Sequence, residues 1–200
     1  MIQQRIAPAL MGLLAVYTAA GCGAGGTFRY HGYALELKAQ GDVPLGLAVH
    51  DQREYIRSDE KVRAYVGAVR KAGVTYDALT ASGKPLATDV QGVLAKSLAK
   101  RGFKVEQVKV APHFKELDVV KLLVATGAER SVLVAIREWM ADVRSETTEL
   151  SFDLRLSVIN EHRSIVAQVE NKGTDELSGR PEITLGQAYR SKLQALLNDP

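Results

Sequence analysis

Apolar residues occupy every second position from 150 to 158, and polar residues stand between them. A period of two predicts a strand with one face on the core and the other in water. A second strand at 165–170 follows across a polar turn and should pair with it. The run at 131–139 is apolar at consecutive positions, which predicts a strand in the centre of a sheet.

Three segments show the helical spacing instead: 85–102, 115–126 and 181–197. Each carries apolar residues three and four positions apart, which predicts a helix with one buried face. A proline suits the first position of the first helix, and Gly102 suits its end. In the second helix, Leu117 belongs to the predicted buried face.

Shorter patterns complete the predicted fold. Alternating aromatic and aliphatic residues at 28–37 indicate an extended arm or first strand. The segments 45–50 and 103–110 are also predicted to be strands. The segment 65–80 predicts a hairpin, and 51–60 is polar and loop-like. The expected fold is α/β (α+β): a two-layer sandwich with a mixed, mostly antiparallel sheet and about three helices.

The N-terminus has the three parts of an export signal. Residues 1–5 are polar with one positive charge, 6–17 are mostly apolar, and 18–21 are small. The apolar run is shorter than the roughly 20 residues that a membrane helix needs. Cys22, the single cysteine of the chain, comes directly after these small residues.

The segment Ala19-Ala20-Gly21-Cys22 resembles the lipobox of bacterial lipoproteins. That resemblance implies removal of residues 1–21, lipid attachment through the sulfur of Cys22, and acylation of the new N-terminus by a fatty acid such as palmitate. The chain then divides into a signal peptide (1–21), a lipidated cysteine with a flexible tether and N-terminal arm (22–40), and a single α/β periplasmic domain (41–200). A plain signal peptide followed by a chance cysteine is the alternative.

Composition limits the partners. The chain has 200 residues and a formal net charge of +3, which becomes 25 − 23 = +2 when the signal removes Arg5. Basic and acidic residues are also interleaved, so we expect no nucleic-acid binding. The expected partners are the membrane, through the anchor on Cys22, and an envelope protein.

The segment 21–26 matches the dinucleotide-binding pattern G-x-G-x-x-G, but it lies across the predicted cleavage point and not between a strand and a helix, so we interpret its glycines as a flexible tether. No other segment carries a catalytic, cofactor-binding or metal-binding motif, so none of these sites is expected. The four histidines are scattered without ligand spacing and are interpreted as surface or loop residues. The candidate binding residues are Asp51 and Arg53, just after a predicted strand, and Trp139. A local Asp–Arg pair that closes the loop, and packing of Trp139 in or beside the core, are the plainer alternatives.

Several short stretches together resemble the YajG-type family of bacterial outer-membrane lipoproteins. They are the lipobox, the strand end 47–53, the helix 85–102 with the Gly-Phe that ends it, the strand 132–143 and the final helix. The resemblance implies an outer-membrane lipoprotein that faces the periplasm, with no enzymatic activity and no catalytic residues to transfer.

The sequence therefore favours a non-catalytic, lipid-anchored binding or assembly module of the envelope. One alternative is an accessory subunit of an envelope transport or lipopolysaccharide-assembly machine. Another is a cell-wall-active enzyme whose site carries no recognisable motif. A cleft with titratable groups of shifted pKa would favour the enzyme, whereas an exposed apolar patch or open sheet face would favour a binding module.

Overall fold

A computed structural model describes residues 25–145 and 147–198. Cys22 and the signal segment lie outside these residues. The described chain forms eight strands and four helices. They are β1 (Thr27–Phe28), β2 (Pro44–Asp51), α1 (Glu54–Arg57), β3 (Tyr65–Lys71), β4 (Val74–Thr80), α2 (Leu86–Lys100), β5 (Lys104–Val108), α3 (Glu116–Val124), β6 (Arg130–Val143), β7 (Thr147–Asn160), β8 (Ile165–Ser178) and α4 (Pro181–Asn198).

All eight strands join one sheet that forks at β6. One edge of β6 pairs along its length with β7, which pairs with β8. The other edge is shared: its first half, from Arg130 to Ile136, pairs with β2, and its end, from Ala141 to Val143, pairs with β3. β5 lies beyond β2, and β4 and β1 lie beyond β3. The fork follows from the length of β6, which exceeds that of either neighbour on that edge.

The expected α+β class with a mixed sheet is confirmed, but two details of the expected architecture are wrong. Among the described residues, four of the seven strand pairs are parallel, so the sheet is not mostly antiparallel. The helices also do not form one layer. α2 and α4 pack with the main core, whereas α3 packs with a separate apolar cluster around Leu133 and Ile159. Because the two clusters use opposite faces of β6 and β7, the sheet is covered partly on both sides.

The main core confirms the alternating pattern of β7. Phe152, Leu154 and Leu156 are buried on one face of the strand, and α4 covers them with the apolar stripe that its sequence predicts, which consists of Leu185, Tyr189, Leu193 and Leu196. The arm before β2 is mostly irregular, yet Phe28, Tyr30, Leu35 and Leu37 are also buried in this core.

Three local expectations are wrong. Leu117 is exposed, and α3 buries Val119, Val120 and Leu123 instead. The loop at 51–60 contains the single turn of α1. β8 continues to Ser178, well past the expected end, because its polar second half still pairs with β7 through the backbone. Among the helices of the described residues, none combines the length and apolarity needed to cross a bilayer.

Candidate functional site

The fork in the sheet is filled by one arginine side chain. Arg53 lies two residues after the end of β2 and is fully buried. Its Nε and Nη2 donate to the two carboxylate oxygens of Asp51 at 2.8 and 2.7 Å. Its Nη1 donates to the carbonyl oxygens of Tyr65 at 2.6 Å and of Trp139 at 3.3 Å. The guanidinium thus joins the end of β2, the start of β3 and the middle of β6.

This ion pair is compensated within the protein. Burial alone lowers the pKa of Arg53, but the hydrogen bonds and charge of Asp51 outweigh that effect and raise it. Both oxygens of the carboxylate are occupied by the guanidinium in a bidentate pair. The arrangement holds the diverging strands β2 and β3 at a fixed separation.

The structure brings the three sequence-predicted binding residues together, but their side chains are buried. Asp51 and Trp139 are 3% and 2% exposed, respectively. The Trp139 backbone meets Arg53, while its indole ring packs edge-on against Tyr30 and Tyr189 at centroid distances of 5.9 and 5.8 Å. Asp51 alone reaches a surface cleft, at the carboxyl end of β2.

That cleft has a volume of about 270 Å³ and lies between the carboxyl ends of β2 and β5 and the first turn of α2. In open α/β sheets, ligands bind in the crevice outside the carboxyl ends of parallel strands. The apolar walls come mainly from Val49, Val110 and Pro112, and exposed cations, Arg63 and Lys109, stand at the rim. Neither cation has an acidic partner among the described residues.

Hydrogen bonds fix the walls of this cleft. The amide of Gln91, on α2, donates to the carbonyls of Leu47 on β2 and Val108 on β5, both at 3.2 Å. The backbone N–H of Leu86 donates to the carbonyl of Arg63 at 3.2 Å, which ties the start of α2 to the loop before β3. The cleft is therefore preformed, which lowers the entropic cost of binding a ligand there.

The interpretation of His50 as a surface or loop residue is wrong. It lies on β2 and is 1% exposed. Its Nε2 donates to the carbonyl of Pro112 at 3.2 Å, so Nδ1 accepts from the Gln52 amide at 3.0 Å. Burial is the main reason that the pKa of His50 is lowered. The Gln52 amide also reaches Glu116, which pairs with Arg155 and so links α3 to β7.

Asp89, in the first turn of α2, is another buried ionisable group. It accepts a hydrogen bond from the Ser82 hydroxyl at 2.7 Å, and the same hydroxyl accepts from the Lys84 N–H at 3.1 Å. Burial raises the pKa of Asp89. The hydrogen bonds of Ser82 fix the turn before α2, and this turn forms part of the cleft wall.

Sequence reasoning missed Arg63 and Lys109. Each lies in a polar stretch that reads as ordinary surface, and they are 46 positions apart. Lys109 lies within the predicted strand 103–110, but only the structure shows that this strand runs parallel to β2 and so brings Lys109 to the same sheet edge as Asp51. Without the strand order, the sequence cannot place these residues beside each other.

The comparisons with known proteins support the fold alone. No family model and no curated protein matches the chain. Among solved structures, the protein XCC0632 from Xanthomonas campestris, of the DUF330 family, superposes with a TM-score of 0.51 at 12% identity, covering 86% of this chain and 91% of its own. PelC from Paraburkholderia phytofirmans gives 0.44 at 13% identity, covering 82% and 92%. The lipoprotein GNA1162 from Neisseria meningitidis gives 0.35 at 8% identity, covering 77% and 97%.

Proposed function

We propose that this chain is a non-catalytic, lipid-anchored binding module of the bacterial envelope, tethered through Cys22, and a member of the YajG-type lipoproteins. The support for the anchor is the sequence: the single cysteine directly follows a signal of the required three-part form. Several acyl chains on one residue hold a protein stably, since each buried CH₂ contributes ~0.8 kcal/mol.

Metabolic labelling with a fatty-acid analogue tests the anchor. The wild-type chain should incorporate the label and fractionate with membranes, and Cys22→Ala should lose both properties. The matched control is Gly23→Ala, which changes the neighbouring residue and leaves the sulfur in place. Label that persists in Cys22→Ala would contradict lipidation at this residue.

The proposed destination is the outer membrane, facing the periplasm. In enterobacteria, an aspartate directly after the lipidated cysteine retains a lipoprotein at the inner membrane, and this chain has Gly23 there. Density-gradient separation of membranes should place the wild-type chain in the outer-membrane fractions and Gly23→Asp in the inner-membrane fractions. Recovery of the wild type with the inner membrane would contradict the proposal.

The cleft beside Asp51 is the proposed binding site, and the observation that carries this is its two rim cations. Arg63 and Lys109 flank a preformed cavity with mostly apolar walls, at the edge of the sheet where ligands bind in related architectures. The positive end of the α2 dipole adds to the potential there. The chemistry fits an anionic group, a carboxylate or a phosphate, on an otherwise apolar ligand or peptide segment.

Site-specific photo-crosslinking in cells tests this site. A benzophenone amino acid at Thr88, an exposed residue of the cleft wall, should capture a partner, whereas the same group at Gln187, exposed on α4, should not. The double variant Arg63→Glu/Lys109→Glu should abolish capture from position 88. Two results would contradict an anionic ligand in the cleft. One is equal crosslinking at positions 88 and 187, and the other is crosslinking from position 88 that persists in the charge-reversed variant.

The long edge of β8 favours a second candidate function, an accessory subunit that assembles with other envelope proteins. Within the part of the chain that the structure describes, β8 pairs with β7 alone, and it is exposed along most of its 14 residues. An open edge offers unpaired backbone groups to a strand of another chain. Val166→Lys, on this edge, should then reduce co-purification of a partner complex. Val62→Lys, at a valine outside the sheet that is also more than half exposed, should not.

A further inference from the structure

The described chain starts at one particular end of the domain. β1 runs parallel to β4, and the N–H of Leu79 donates to the Gly26 carbonyl at 3.0 Å. Gly25 lies against the backbone of Asp77 so closely that a Cβ there would overlap the carbonyl. Because β4 begins at Val74, the direction of β1 means that the chain enters from the side of the β3–β4 turn.

Three other segments meet the chain at this same end. The last residues of β6 pair with β3 near that turn, and the start of β7 pairs with the end of β8, which leads into α4. A cleft of about 230 Å³ is lined jointly by residues of β1, the end of β3, the β6–β7 turn and the start of α4. We name the residues 71–74, 144–145 and 180–183 the anchor end.

The anchor end combines exposed cations with exposed aliphatic side chains. Lys71, Arg144 and Arg180 are exposed. Val74 at the start of β4 and Ile183 in the first turn of α4 are 48% and 54% exposed.

One carboxylate at this end is already neutralised. Asp142 accepts from Arg70 at 2.7 Å and from Arg144 at 2.8 Å, so one acid faces two arginines and a positive charge remains. These arginines lower the pKa of Asp142 and keep it ionised. Among the described residues that line the cleft, Glu182 is the acidic one.

We propose that the anchor end lies against the bilayer, with Lys71, Arg144 and Arg180 in contact with anionic lipid headgroups. The inference rests on the proposed lipidation of Cys22. Three peptide links separate Cys22 from Gly25, and at most about 3.6 Å per residue limits their reach to roughly 11 Å. A domain held that close to the lipid presents to it the end at which its chain starts.

The chemistry of the anchor end matches that of a membrane surface. Lys and Arg side chains close to an anionic leaflet are attracted to it, and the effect falls off within a Debye length, about 8 to 10 Å at moderate salt. Exposed aliphatic residues between cations are typical of proteins that rest at the headgroup boundary. The short tether keeps these groups inside the distance at which the attraction acts.

Fluorescence quenching on the lipidated protein tests the orientation. An environment-sensitive label is placed on an introduced cysteine at Val74→Cys or, as the matched control, at Ile165→Cys, whose wild-type residue is 49% exposed. Ile165 lies at the other end of β8 from Ser178, roughly 43 Å away along the strand at ~3.3 Å per residue. Vesicles of phosphatidylcholine and phosphatidylglycerol carry a headgroup quencher. The label at 74 should lose most of its fluorescence, and the label at 165 almost none.

A charge reversal then tests the lipid preference. Lys71→Glu/Arg180→Glu should reduce the difference between the two labels, as should vesicles of phosphatidylcholine alone, because only the short tether then orients the domain. An unchanged difference would refute the contact with anionic headgroups. Lys100→Glu/Lys104→Glu, at the opposite end and with the same change in net charge, should leave it intact. Protein that does not float with the vesicles refutes the anchor itself. Protein that floats but shows equal quenching at both positions refutes only the proposed orientation.

Discussion

The buried pair between Arg53 and Asp51 gives a sharp prediction about stability. Arg53→Met removes the guanidinium and leaves the Asp51 carboxylate buried without its two donors, as well as the carbonyls of Tyr65 and Trp139. Loss of one partner of a buried pair costs about 3–5 kcal/mol, mostly because the remaining charge is uncompensated. The free energy of unfolding of Arg53→Met should therefore fall by about 3–5 kcal/mol.

The chain offers a matched control in its surface pair of Lys61 and Asp77. That pair has a bond of 2.6 Å, against 2.7 Å for the buried pair, but its side chains are 36% and 46% exposed. Exposed pairs contribute ~0.2–1 kcal/mol, so Lys61→Met should cost no more than about 1 kcal/mol. Burial, and not bond length, separates the two expectations.

Urea denaturation of the chain from Gly23 onward, followed by circular dichroism, measures both costs. The double variant Asp51→Leu/Arg53→Met removes both charges and should lose much less than the sum of the two single variants. Two results would refute the reasoning. One is an Arg53→Met cost as small as that of Lys61→Met, and the other is strict additivity in the double variant.

The remaining predictions concern the core, a buried histidine and the anchor. Phe152→Ala should cost about 3–5 kcal/mol and Ser151→Ala, on the other face of β7, less than ~0.5 kcal/mol, by the same denaturation assay; equal costs would mean that the register is wrong. Folding lowers the pKa of His50 from 6.5, so as the pH falls the unfolded chain binds a proton at His50 before the folded chain does. The free energy of unfolding should therefore decrease as the pH drops below 6.5. His50→Gln should remove that part of the pH dependence, and His162→Gln, whose side chain is 79% exposed, should not. The unlipidated domain should unfold cooperatively and stay soluble, yet fail to replace the lipidated chain in cells. Full complementation by the unlipidated domain would show that the lipid anchor determines the location of the protein but is not needed for its activity.

Local periodicity was enough to find most of the elements. The strand at β7, the helix α2 and the apolar stripe of α4 each carry their own pattern, because one face of an element must be apolar wherever the fold buries it. The small residues before Cys22 predict export because the processing enzyme recognises a local sequence in the unfolded chain, so this prediction also depends on local residues alone. None of these inferences depends on which element lies beside which.

Pairing between distant segments was decided only by the tertiary structure. The sequence does not show that β6 would take β2 and β3 on one edge, since parallel pairing leaves no local turn to mark it. The same fork buries Arg53, which the sequence presents as a loop residue. Its carboxylate partner Asp51 is local, but the carbonyls of Tyr65 and Trp139 that complete its hydrogen bonds come from strands far away in the sequence. The cleft cations, the buried His50 and the opposite placement of α3 follow the same rule: each depends on contacts between residues far apart in the chain.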